Sequence, residues 1–234
     1  MRKHQGLSPQ EWEKQLELLL DSGRVVRLGK DKLWDTETLE SLCLKVHELL
    51  VRLVEAAPWK GGWPPQDIIN LLGLKSGSDQ GLADVLDRMV STGRLQRNGP
   101  LYAPAGHEPK LGPAARKSAQ RAVALLEGDL YSPRDWEHCL AEVAPHDRKL
   151  QSQIEDFLFG TRQVVRLSEK IVTTPNVLEK ARDVLTSSSE DGFTASEARQ
   201  FLDTSRKFII PILEWMDNEG WTVRLGDKRK MAPR

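Results

Sequence analysis

Cysteine is close to absent, with two in 234 residues, Cys43 and Cys139. Both fall in stretches of helical periodicity far apart in sequence, which excludes a disulfide scaffold and a cysteine zinc site and makes a reduced, cytoplasmic protein the expectation. No apolar run approaches the ~20 residues of a membrane span. The start Met1-Arg2-Lys3-His4-Gln5-Gly6 is followed by no hydrophobic region, so a signal peptide is not expected either. An excess of one charge is also missing: 34 basic residues face 34 acidic ones. Any nucleic-acid surface must therefore be local rather than a broad polycation. Catalytic signatures are missing as well. There is no GxxxxGK phosphate loop, no GxGxxG turn, no HExxH and no Gly-x-Ser-x-Gly elbow. His138 and Cys139 are adjacent, so on a helix they point apart and make no dyad. The expectation is a chain that is not an enzyme and holds no cofactor or metal.

What is present is repetition. Gly23-Arg24-Val25-Val26-Arg27-Leu28, Gly93-Arg94-Leu95-Gln96-Arg97, Arg162-Gln163-Val164-Val165-Arg166-Leu167 and Gly220-Trp221-Thr222-Val223-Arg224-Leu225 recur at intervals of about 60 to 70 residues. Eight residues before the arginines 27, 97, 166 and 224 stand Leu19, Met89, Leu158 and Met216, and Leu16, Leu86 and Leu213 stand eleven before three of them. An amphipathic helix thus precedes each segment. A polar turn follows each (Gly29-Lys30-Asp31, Asn98-Gly99, Ser168-Glu169-Lys170, Gly226-Asp227-Lys228), and then a returning strand. Helices followed by a two-stranded ribbon give the winged helix-turn-helix order. The predicted fold is mostly α with small β-hairpins (α+β), an elongated array of tandem winged helices.

Start and stop signals divide the chain. Ser8-Pro9-x-Glu11 opens a helix to about Asp21, the only one before the first ribbon, so 1–34 reads as the trailing part of a first winged helix. Asp35 caps a long helix over about 36–57 with the apolar face Leu39, Leu42, Val46, Leu49, Leu50 and Leu53. A short helix to Leu72 and one begun by Ser76-Gly77-Ser78-Asp79 lead to the second ribbon, making 35–105 the second unit. The Pro- and Gly-rich stretch 106–112 is the linker. Helices near 114–127, 132–142 and 146–159 with the hairpin 162–173 make a third unit, 113–174. Pro175 begins the fourth, 175–234, joined to the third by a very short connection that suggests a rigid pair. In the fourth, Thr194-x-x-Glu197 is a capping box for a helix ending near Phe201, and Asp203 or Thr204 is placed to cap the next helix. Most of the seven tryptophans are expected in cores, including the loop residues Trp59 and Trp63.

The local charge asymmetry lies at the C-terminus, where Trp221 to Arg234 carries five basic residues and one acidic. A helix start at Ser205-Arg206-Lys207 and a wing bearing Arg224, Lys228, Arg229 and Lys230 can grip one nucleic-acid backbone from two sides.

The same region, Phe193-Thr194-x-x-Glu197-x-Arg199, Ser205-Arg206-Lys207, Pro211-x-Leu213-Glu214, Asp217, Thr222, Arg224 and Gly226-Asp227-Lys228-Arg229, resembles the end of the bacterial selenocysteine-specific translation elongation factors (SelB). Val223 stands where that family commonly has a second arginine. The resemblance implies four tandem winged helices behind a GTPase body that binds GTP and Mg and is absent from this chain. It implies that the last domain grips the messenger RNA hairpin (SECIS) that recodes UGA as selenocysteine. Ser205, Arg206, Lys207, Arg224, Lys228, Arg229 and Lys230 would contact RNA, with Gly226 and Asp227 shaping the wing turn. The ribosome and selenocysteinyl-tRNA would be partners through the full-length factor, the first two units would be a spacer, and the chain would be a monomer. A tandem winged-helix DNA-binding regulator and a protein-interaction adaptor are the rival readings of the same fold.

Overall fold

The computed structural model describes residues 8–29, 32–74, 79–188 and 192–232. The turn residues Lys30 and Asp31, the helix start 76–78, and the chain ends 1–7 and 233–234 lie outside them. The chain divides into two compact units that meet between Glu108 and Pro109.

The first unit opens with α1 (Pro9–Asp21), held by the Ser8/Glu11 capping box, and a ribbon of β1 (Val25–Leu28) and β2 (Lys32–Asp35). α2 (Thr36–Ala56) starts at Asp35, whose carboxylate accepts the Thr38 N–H at 2.8 Å. α3 (Pro65–Leu71), α4 (Asp79–Ser91) and the ribbon β3 (Leu95–Asn98)/β4 (Leu101–Pro104) complete it. One core serves the whole unit: Leu39, Val46 and Leu50 of α2 meet Ile68, Val85, Leu86, Leu95 and Tyr102, and Leu28 of the first ribbon joins them with Val26 and Trp34 beside it. The first ribbon, expected to trail an earlier domain, thus finds its apolar cover on the helices that follow it.

α1 has no such cover. None of its described side chains is buried, and Trp12, expected in a core, is 51% exposed. Leu19 is 36% exposed, whereas its equivalents Met89, Leu158 and Met216 are at 1% or less. The difference is physical: each of those three belongs to a helix that packs on two preceding helices, and α1 has none before it among the described residues.

The second unit carries two helix-and-ribbon bodies. α5 (Pro113–Asp129), α6 (Trp136–Val143), α7 (Arg148–Gly160) and the short ribbon β5 (Val165–Arg166)/β6 (Val172–Thr173) enclose Ala122, Leu126, Trp136, Cys139, Ile154 and Leu158. α6 begins four residues later than the expected 132, because the Arg134 N–H and guanidinium both bind the Asp129 carboxylate and Asp135 supplies the cap. α8 (Pro175–Ser188), β7 (Phe193–Thr194), α9 (Ala195–Phe201), α10 (Arg206–Asn218), β8 (Thr222–Leu225) and β9 (Lys228–Met231) form the second body around Leu178, Leu185, Phe193, Ile209, Leu213 and Met216. Its sheet has the order β7-β9-β8, all antiparallel, which gives this body the helix-strand-helix-helix-strand-strand order of a winged helix.

The third strand also has a rudiment in the first unit. Trp63 exchanges both backbone hydrogen bonds with Tyr102 at 2.9 Å and is buried, so it packs as expected but as a strand residue. Gly62 before it and Gly192 before Phe193 occupy matching places, with φ of +145° and +93°, and a Cβ on either would lie 2.7 Å from a carbonyl oxygen of the last strand, Tyr102 and Arg229 respectively. Gly192→Ala and Gly62→Ala are each expected to destabilise their unit by more than about 1 kcal/mol. Thermal unfolding of the two variants beside Gly106→Ala, whose Cβ meets nothing within 4 Å, checks this.

Candidate nucleic-acid interface

The expected contact residues sit on two devices of the fourth repeat. The first is the start of α10. Thr194 and Glu197 form their capping box on α9 as anticipated, but the next helix is capped differently. Its N-cap is Ser205, whose side chain makes no capping bond. Thr204 stands one residue before that cap, and its hydroxyl is turned away to donate to the Tyr131 carbonyl at 2.6 Å. The Phe208 and Ile209 N–H groups both reach the Ser205 carbonyl, and those of Arg206 and Lys207 have no partner among the described residues. Ser205, Arg206 and Lys207 are exposed, with the Lys207 ammonium 5.1 Å from the Phe208 ring centroid. The helix start is therefore open, cationic and supplied with free donors, the combination that suits an anion. The equivalent helix α7 is closed to one: the Asp147 carboxylate accepts the Leu150 N–H at 2.9 Å.

The second device is the wing. Gly226 takes φ +64° in its turn, and the Arg224 Nε donates to the Gly226 carbonyl at 3.3 Å, as the Arg97 Nε does to Gly99 at 3.0 Å. The recurring ribbon arginine thus closes its own turn. Arg97 is further tied to Asp87 at 3.5 Å and Arg166 to Glu155 at 2.6 Å, whereas Arg224 has no ion pair among the described residues. Val223 opposes Lys230 and Leu225 opposes Lys228. Residues directly opposite in an antiparallel pair share a face, so the two lysines project beside two exposed apolar residues, and Asp227 is exposed at the tip. Thr194 pairs with Lys228, which ties the wing to the first residue before α9.

Arg229 corrects the sequence reading. It opposes Arg224 and Phe193 on the inward face, is 8% exposed, and clasps the Asp217 carboxylate of α10 through Nε at 3.0 and 3.1 Å and Nη2 at 2.9 Å. The Thr222 hydroxyl donates to the same carboxylate. Burial works to raise the Asp217 pKa, but the bonds from Arg229 and Thr222 outweigh it and hold the carboxyl below its ordinary value. Arg229 belongs to the fold because its guanidinium is committed to this pair.

The exposed cations are Arg206, Lys207, Arg224, Lys228 and Lys230, none of them ion-paired among the described residues, with Arg224 on the face of the ribbon opposite to that of the two lysines. Arg199 of α9, which is not among the expected contacts, lines a cleft of about 220 Å³ between α9 and α10 with Ser196, Arg206, Ile209 and Ile210. Its signal was the i, i+3 spacing from Ser196 on a short helix beside the basic helix start. The cysteines offer no chemistry: burial pushes the Cys139 thiol up to about 11 and also raises that of Cys43. Among the described residues no cluster of His, Cys, Asp and Glu could hold a metal, and no helix is long and apolar enough to cross a membrane.

Residues 186–231 match the family model described as elongation factor SelB, winged helix. A selenocysteine-specific elongation factor of Desulfomicrobium baculatum is 25% identical over 206 residues, 85% of this chain and 31% of that protein. The crystal structure of bacterial selenocysteine-specific elongation factor EF-Sec superposes with a TM-score of 0.50 at 19% identity, covering 90% of this chain and 32% of that one. The mRNA-binding domain of SelB from E. coli, solved with SECIS RNA, gives a TM-score of 0.44 at 18% identity over 53% of this chain and all of that one. The chain spans about a third of the length of the full factors it matches. Within the fourth repeat, the matched segment is similar to a winged helix of elongation factor SelB.

Proposed function

We propose that this chain is an RNA-binding rather than catalytic part of a selenocysteine-specific elongation factor, and that its fourth repeat grips the messenger RNA hairpin that recodes UGA. The observation that carries the proposal is the pairing, within the matched residues 186–231, of an uncapped basic helix start with a wing whose exposed cations Arg224, Lys228 and Lys230 make no ion pair among the described residues. Phosphates would lie at Ser205, Arg206 and Lys207 and along Arg224, Lys228 and Lys230, with Gly226 and Asp227 setting the turn, and loop bases would be read by shape and side-chain edges. Residues 1–34 and 35–105 would act as spacer, 106–112 as linker, and 113–174 as support for 175–234. The ribosome, selenocysteinyl-tRNA, GTP and Mg would engage the remainder of the factor, and the chain would work as a cytoplasmic monomer.

A duplex-DNA reading is disfavoured by α10 itself. Beyond its basic start come Phe208, Ile209, Ile210, Pro211 and Ile212, all buried or half-buried, which leaves little polar surface for base edges in a major groove. Photocrosslinking of the full chain to a UGA-flanking hairpin tests the assignment. Crosslinks are expected within 194–207 and 222–230, and crosslinks concentrated on 24–34 or 94–104 would overturn it.

A further inference from the structure

The turn that launches α10 is held by the third repeat. The Thr204 hydroxyl has one proton, and it goes to the Tyr131 carbonyl at 2.6 Å. The 2.9 Å contact with the Ser132 hydroxyl must then be a donation from Ser132. The result is a directed chain, Ser132 to Thr204 to the Tyr131 carbonyl, across 72 and 73 residues of sequence. Such chained bonds reinforce one another. Tyr131, Val165 and Leu167 of the third repeat pack against the fourth core around this link.

Both strands of the contact carry backbone that ordinary residues avoid. Leu130, just before Tyr131, has φ +50° and ψ −119°, and Asp203, just before Thr204, has φ +44°. Local turns set both angles: the Asp203 and Thr204 N–H groups close α9 on the Gln200 and Arg199 carbonyls at 3.2 and 3.1 Å, and the Ser132 N–H closes a turn on the Asp129 carbonyl at 3.1 Å. The hydrogen bonds between the repeats join these two turns. The next three residues after Thr204 are Ser205, Arg206 and Lys207.

We infer that Thr204 is a positioning residue for RNA binding: through Tyr131 and Ser132 the third repeat fixes the place and direction of the open α10 start, so that the free donors and cations of 205–207 are presented together. This rests on the function proposed above. It assigns no RNA contact to Thr204 itself. Its removal therefore lowers affinity without removing a phosphate contact, and the two consequences separate experimentally.

The test is Thr204→Val in the full chain, which keeps the shape and deletes the hydroxyl, with Thr204→Ser as the conservative partner. Affinity for a UGA-flanking hairpin is measured across a salt series at a temperature well below melting. The expected result is binding about 3- to 10-fold weaker for Thr204→Val, an unchanged slope of log affinity against log salt, and near-complete rescue by Thr204→Ser. Wild-type affinity in a folded Thr204→Val overturns the inference while leaving the function proposal standing. A slope lower by about 1 also overturns it, since that would make Thr204 a direct phosphate contact. Failure of the wild-type chain to bind the hairpin overturns both. If Thr204→Val melts below the assay temperature, Ser132→Ala replaces it, an exposed site with a smaller expected loss of about 2-fold at unchanged slope, and wild-type binding there counts against the inference.

Discussion

Asp217→Ala is expected to cost the fourth repeat about 3 kcal/mol, because it strands the Arg229 guanidinium without its carboxylate. The figure sits at the lower end of the range for broken buried pairs, since the Asp217 side chain retains 25% of its exposure while that of Arg229 retains 9%. The Thr222 hydroxyl loses its acceptor in the same change. Urea unfolding of the full chain, followed by tryptophan fluorescence to which Trp215 and Trp221, packed edge to face at 4.9 Å, contribute, reads the effect. Arg229→Met is expected to cost less, since the Asp217 carboxylate that it strands is the more exposed partner and keeps the Thr222 hydroxyl. The pair also predicts a pH dependence. The folded pKa of Asp217 lies below its ordinary value, so its contribution is fully present above about pH 4 and is lost as pH falls through the folded value. The stability difference between wild type and Asp217→Ala should shrink with acid in that window and stay flat from pH 5 to 8.

Arg206→Ala is expected to weaken hairpin binding by about 1–3 kcal/mol and to lower the salt slope by about 1, the mark of a lost phosphate contact. Arg206 stands at the open helix start and also lines the cleft with Arg199, so it can meet RNA from two sides. Arg24→Ala, on the first ribbon and equally exposed, should leave binding unchanged. Equal losses at Arg206 and Arg24 would mean that charge alone, rather than the fourth repeat, governs binding. Arg229→Met should weaken binding less than Arg206→Ala and leave the slope unchanged, which separates a residue of the fold from one of the interface.

The comparison of Arg206 with Arg229 marks where sequence reasoning reached. Local chemistry was legible: Ser8/Glu11 and Thr194/Glu197 announced their helices because a capping box is closed within four residues, and the ribbon arginines announced the repeat because Arg97, Arg166 and Arg224 each bind a carbonyl of their own turn. Facing was harder. Lys228, Arg229 and Lys230 are consecutive and alike, and only pairing with Phe193 and Arg224 puts Arg229 inside. Strand alternation from Met231, half-buried on the same side, carried that information, but a two-residue strand such as β7 has too little pattern to fix the register. The partners of Thr204 were beyond reach because they come from another repeat. The shared core of the first unit was missed for a related reason: the first ribbon carries the same pattern as the others, and nothing in its residues says which helices will cover it.

The central claim, that the fourth repeat recognises a recoding hairpin in RNA, is tested most directly by the affinity of the full chain for a UGA-flanking hairpin from a selenoprotein message, against a scrambled hairpin and duplex DNA of equal charge, from low to physiological salt. The account predicts tight binding that favours the native hairpin and persists in preference as salt rises. Equal binding to all three, or preference for duplex DNA, would contradict it.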